Sequence, residues 1–215
     1  MFLKLTIRMV RNMNKKDLKF IKKCKLFDSN ETLKNSVLAM YNGLATFGNN
    51  DDQTIAITSI ENNTYSVSMA IALYHLFVEK GESALLLNLD MNNEILKEEV
   101  FESLNTIFVD VCDNVNELLD GKSKALSIKS DKFVADVLKS KELNDFIDKA
   151  KTKYRRIVFI VSNMNETKDI FLLKDIIDTS TIVVKRNSTL LKSIFDNVEF
   201  IKENHIPFSG ITYIK

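Results

Sequence analysis

Two short apolar runs without alternation constrain this chain more than any other feature. Residues 54–60 read TIAITSI and residues 83–89 read SALLLNL, β-branched or aliphatic almost throughout. A strand with one wet face alternates polar and apolar side chains, so runs without alternation belong to a sheet covered on both faces, as parallel sheets are. Parallel neighbours need a crossover rather than a hairpin. The intervening stretch supplies one. After the polar Glu61, Asn62, Asn63 and Thr64, the apolar Val67, Ala70, Ile71, Tyr74 and Val78 recur at helical spacing, and Gly81 stands where such a helix would stop. The segment predicts a βαβ unit.

The same alternation continues to the end of the chain. The pattern predicts a helix over 136–151, a strand over 157–161, a helix over 170–177, a strand over 181–184, a helix over 190–203 and a last short strand over 209–214. Ahead of the first strand, residues 31–46 read as an amphipathic helix. This is a doubly wound, mainly parallel α/β architecture, whose ligands usually sit beyond the carboxyl ends of the strands. With 215 residues, 45% of them hydrophobic, one core is expected, and five glycines and a single proline leave no flexible linker. The expected division is a basic arm over 1–30 and one α/β domain over 31–215.

Charge is spread unevenly. Residues 1–25 carry nine Lys or Arg against Asp17 alone, so a chain of net charge +1 is acidic by seven over its remainder. Such an arm predicts an anionic contact, with Lys15, Lys16, Lys19, Lys22 and Lys23 meeting a membrane surface; a solvated basic helix lying on its own acidic body explains the same pattern. The apolar runs fall short of the ~20 residues of a membrane-spanning helix. Lys4, Arg8 and Arg11 interrupt the N-terminus, which lacks the small-residue cleavage site of a secretory signal. Cys24 and Cys112 show neither metal nor disulfide spacing. A cytoplasmic protein, peripheral at the inner face of the cell membrane, is the expectation.

From Ile57-Thr58-Ser59 through Asp90, the sequence resembles the bacterial tyrosine autokinases of capsular and exopolysaccharide biosynthesis, relatives of the MinD and ParA ATPases. The resemblance resumes over 137–215, where Leu138, Ser140, Lys141, Ile157, Val158, Asp178, Ser180, Pro207, Phe208 and Gly210 fall in the family's register. Lys15-Lys16, Phe20-Ile21-Lys22-Lys23, Tyr41, Leu44 and Thr46 extend it toward the N-terminus. It implies a P-loop NTPase fold of the MinD/ParA type and, in active relatives, ATP, magnesium and protein-tyrosine phosphorylation.

The family's chemistry does not carry across. Active relatives place a Gly-x-Gly-Lys-Thr loop after the first strand, because glycine amides crowd the phosphates, the lysine neutralises them and the hydroxyl holds magnesium. Those positions here are Asn63, Thr64, Tyr65, Ser66 and Val67. Of the paired acids after the next strand, Asn88 and Asp90 retain one carboxylate. Ile160 stands in the register of a third, magnesium-supporting aspartate. Loss of one preorganised donor costs roughly 100- to 1000-fold in rate, and phosphoryl transfer consists mostly of such positioning. Asn63, Tyr65, Ser66, Val67, Asn88, Asp90 and Ile160 are therefore read as vestigial positions, with no catalytic residue, cofactor or metal expected.

What the resemblance then implies is an inactive adaptor or regulator. Its partner would be a membrane-embedded polysaccharide co-polymerase adaptor or an active kinase paralogue. The Glu and two Arg that join family members into rings correspond to Ala39, Asn42 and Ala45, which lack charge for that contact. Two other readings stay open: a tyrosine kinase with residual ATP binding through Asn62, Asn63, Ser66 and Asp90, and a ParA-like DNA- or membrane-associated protein. No aromatic platform interleaves with Lys and Arg, so no nucleic acid is expected. Asp169 and Asp178 read as helix caps. His75 and His205 lack partners at triad or zinc spacing.

Overall fold

The computed structural model describes residues 31–46, 53–61, 64–91, 107–109, 119, 121–128 and 130–214. The predicted basic arm, with Lys15, Lys16, Lys19, Lys22 and Lys23, lies outside them, as do Asn62 and Asn63. Helix α1 spans Glu31–Thr46, followed by strand β1 (Thr54–Ser59), helix α2 (Thr64–Glu79) and strand β2 (Ala84–Asn88). Strands β3 (Ile107–Val109) and β4 (Ser123–Ile128) come next, then helices α3 (Val134–Leu138) and α4 (Lys141–Lys153) and strand β5 (Arg156–Ile160). A 3-10 turn (Asp169–Leu173), strand β6 (Thr179–Lys185), helix α5 (Leu191–Glu203) and strand β7 (Gly210–Ile214) complete the order.

The seven strands form one sheet in the order β3-β4-β2-β5-β1-β6-β7. Every neighbouring pair among them is parallel. The two unbroken apolar runs are β1 and β2, buried along their whole lengths. Between them sits β5, so the βαβ unit read from sequence spans one intervening strand. Successive residues of each strand serve opposite layers. Ile55 and Ile57 of β1 join Leu86, Val158 and Ile160 in a cluster with α2 and the Val37, Met40 and Leu44 stripe of α1. Ala56, Leu85, Leu87, Ile157 and Phe159 face the other layer, with Leu143, Phe146, Ile147 and Ala150 of α4 and Ile194 and Ile201 of α5. This period of two, buried on both sides, is why the strand sequences show no alternation.

Helix α2 stops as its sequence predicts. Gly81 has φ +84°, and the Glu82 N–H donates to Phe77 O at 3.0 Å while the Gly81 N–H donates to Val78 O at 3.0 Å, the paired bonds of a left-handed C-terminal cap.

Three predicted helical features differ from the structure. The single helix over 136–151 is two: α3 closes at Leu138, and Ser140 starts α4 as an N-cap, its hydroxyl accepting from Leu143 N at 3.1 Å. A hydroxyl free to bond the backbone competes with helix continuation, and at this position it wins. The predicted helix over 170–177 is the single 3-10 turn, whose apolar residues Ile170 and Leu173 are buried at three-residue spacing. Helix caps were expected at Asp169 and Asp178, and neither acts as one. Asp169 is the first residue inside the turn, and Lys168 holds the cap position without a side-chain capping bond. Asp178 instead ties two strands: its Oδ2 accepts from Gln53 N at 2.8 Å, Thr54 N at 2.7 Å and Thr54 Oγ1 at 2.8 Å, joining the starts of β1 and β6. Burial acts to raise the Asp178 pKa, but the hydrogen bonds from Thr54 and Gln53 and the charge of Lys151 outweigh it and hold the carboxyl below its usual range.

His205 occupies an exposed turn with φ +54°. Among the described residues, no helix is long and apolar enough to cross a membrane.

Candidate functional site

All seven strands run the same way, so their carboxyl ends form one edge, and the positions singled out in the sequence gather there. The sheet register aligns Ser127, Asn88, Ile160 and Ile57 in a row across β4, β2, β5 and β1. Residues in register on parallel strands point to the same face, here the face covered by α2.

Two chemistries share this row. On the β4–β2 side it is polar: the Asn88 carboxamide donates from Nδ2 to Ser127 Oγ at 3.0 Å, and its Oδ1 accepts from the Asp90 N–H at 3.1 Å. Asp90 is buried, and its Oδ1 accepts from the Ser162 hydroxyl at 3.0 Å. The Ser162 carbonyl in turn accepts from Thr58 Oγ1 at 2.7 Å, which links the ends of β1, β2 and β5 through buried polar groups. Groups shut away from water need such partners, and here the partners are one another.

On the β5–β1 side the row is apolar. Ile160 is 1% exposed and Val67, from the first turn of α2, is 2% exposed; both belong to the cluster that holds Ile55, Ile57 and Val158. Neither offers an oxygen to a cation. A magnesium ion held as the resemblance implies for active relatives needs a hydroxyl at 67 and a carboxylate at 160, and the residues present do not fit it. Ser66, next to Val67, is completely buried, and Tyr65 lies in the first turn of α2. Among the described residues, no group of three His, Cys, Asp or Glu could hold a metal ion.

A lysine does lie past the end of β5, but it turns away. Lys168 Nζ donates to Asn197 Oδ1 at 2.5 Å and stands 5.1 Å from the Phe200 ring centre, on the α5 side. Burial there pushes its ammonium below the usual lysine value.

The sequence reading located Asn88, Asp90 and Ile160 at strand ends and gave Ser162 no role. Ser127 and the bond from Thr58 to Ser162 had no signal in it. A buried serine in a strand looks like any small residue until its partner is known.

No protein-family model matches this sequence, and no curated protein matches it. Among solved structures, the chain is similar to the kinase domain of VpsO, at 19% identity and a TM-score of 0.67 over 86% of this chain and 94% of that one. It is similar to the kinase domain of the Escherichia coli tyrosine kinase ETK, at 11% identity and a TM-score of 0.70 over 90% and 78% of the two chains. The tyrosine kinase domain of BceF gives 14% identity and a TM-score of 0.65 over 85% and 76%. These likenesses establish a shared fold: the parallel α/β sheet of those tyrosine-kinase domains.

Proposed function

We propose that this chain is a non-catalytic relative of the capsule and exopolysaccharide tyrosine autokinases, acting as an adaptor or regulator. It binds a membrane-embedded polysaccharide co-polymerase adaptor or an active kinase paralogue, without ATP or magnesium. What carries the reading is the aliphatic pair Val67 and Ile160, sealed in one apolar cluster at the strand ends where the family's chemistry would need oxygen ligands. Phosphoryl transfer rests on charge neutralisation and positioning, and a dry aliphatic pair supplies neither. The shared fold with domains described as tyrosine kinases supports the ancestry.

The test has two arms. Calorimetry with magnesium and ATP at millimolar concentration should give no binding heat, and radiolabel transfer should be undetectable. Pull-down with the cytoplasmic segments of the polysaccharide adaptor, repeated after deletion of residues 1–25, should retain the chain. Saturable ATP binding with label transfer would replace this reading with that of a residual kinase, whose anchor would be the buried Asp90 and Ser162 pair.

A further inference from the structure

The turn from β6 into α5 breaks two local rules at once. Helix N-caps favour Ser, Thr, Asp or Asn, yet the N-cap of α5 is Leu190, which makes no side-chain capping bond. Acids favour a first helical turn, yet that of α5 contains none. Leu190 is 72% exposed, Leu191 65% and Phe195 64%. Leu191 and Phe195 lie four residues apart on one outer stripe of α5, whose inner stripe, Ile194, Asn197 and Ile201, is buried. These large apolar side chains contribute nothing to the core. A rule broken with no gain inside the fold points to a gain outside it.

Charge identifies the occupant. Lys185 and Arg186 precede the three apolar side chains in the turn and Lys192 follows Leu191, all three exposed, against Asp196 as the nearest exposed acid in the segment. The uncompensated positive end of the α5 dipole adds to them. The cavity of about 280 Å³ between α1 and β7 includes none of these residues. Exposed apolar side chains that share a short segment with exposed cations suit an anionic surface with a hydrocarbon interior. A second exposed aromatic, Phe133 at 82%, precedes α3 in the connection from β4.

We infer that the β6–α5 turn, through Leu190, Leu191 and Phe195 with Lys185, Arg186 and Lys192, inserts into an anionic phospholipid bilayer and sets the carboxyl edge of the sheet toward it. This contact is separate from the N-terminal lysines and does not depend on the adaptor reading.

The chain contains no tryptophan, so Phe195→Trp places a single reporter on the patch. The full-length variant is mixed with vesicles of phosphatidylcholine alone, or of phosphatidylcholine with phosphatidylglycerol, with and without brominated acyl chains. The expected result is a blue shift and bromine quenching confined to the vesicles containing phosphatidylglycerol. Adding Leu190→Ser and Leu191→Ser should weaken partitioning at least tenfold, and Lys185→Gln with Lys192→Gln about fivefold for each charge. All of these side chains are exposed, so each variant should melt like its parent. Sedimentation with vesicles but no change in tryptophan emission would mean that the N-terminal arm alone binds, and would overturn the inference. So would absence of binding to either vesicle, which would leave the patch to a protein partner.

Discussion

Ile160→Asp introduces the carboxylate that the resemblance to the autokinases would place at the end of this strand, and the structure predicts that it breaks the fold instead. Ile160 is fully buried among Ile55, Ile57, Val67 and Val158. Removing its side chain from that cluster forfeits about 1.5–3 kcal/mol of burial. The incoming acid would sit between Ile57 and Asn88, whose carboxamide is already bonded to Ser127, so it avoids ionisation by raising its pKa, and its neutral form still strands polar atoms at about 1–3 kcal/mol. Together the loss is about 3–6 kcal/mol, a large share of the stability of a typical domain. For a chain of this size each kcal/mol moves the melting temperature by about 2–4 °C, so a fall of roughly 10–20 °C is expected by calorimetry or circular dichroism. Ile160→Val, which keeps the apolar contact, should cost only about 1 kcal/mol. If the Ile160→Asp variant melts within about 2 °C of the parent, and gains stability from magnesium and ATP, the end of β5 opens onto a usable site. The sealed aliphatic pair would then not be what excludes nucleotide.

Three further outcomes follow from the geometry. Asp178→Asn should lower stability at neutral pH by about 1 kcal/mol, discounted for solvent exposure, as read by urea unfolding. The depressed pKa of Asp178 fixes the sign: its contribution is present above the unfolded carboxyl value near 3.9 and is lost as pH falls through the lower folded value, so the Asn variant should show a shallower loss on acidification. Gly81→Ala should cost about 1–2 kcal/mol through the backbone alone, since φ is +84° and an added Cβ would meet nothing within 4 Å. Tyr154→Phe removes the hydroxyl that donates to Leu119 O at 3.1 Å in a buried setting and should cost about 1 kcal/mol in the same assay, with the fold retained.

The strands β1, β2, β5 and β6 were legible from sequence because burial on both faces leaves an unbroken apolar run, a signal that needs no knowledge of the partner. The stop of α2 was legible for the same reason, since a left-handed residue followed by a strand marks itself locally at Gly81. The break at Ser140 and the 3-10 turn at Asp169–Leu173 were not. Apolar spacing there fits a helix, and only packing against the sheet shows that one turn suffices.

The candidate site divides along the same line. That Asn63, Tyr65, Ser66, Val67, Asn88 and Ile160 stand where the resemblance would place glycines, a lysine, a hydroxyl and carboxylates is read from the amino-acid order alone. What those replacements do to the strand ends depended on tertiary structure. The insertion of β5 between β1 and β2 puts Ile160 beside both Ile57 and Asn88. The bond from Ser162 to Asp90 spans 72 positions, and the tie from Asp178 to Thr54 spans 124. Periodicity and propensity act over a few residues, so they shape elements one at a time. Strand order and buried polar pairing are contacts between distant parts of the chain, and only the folded sheet brings those parts together.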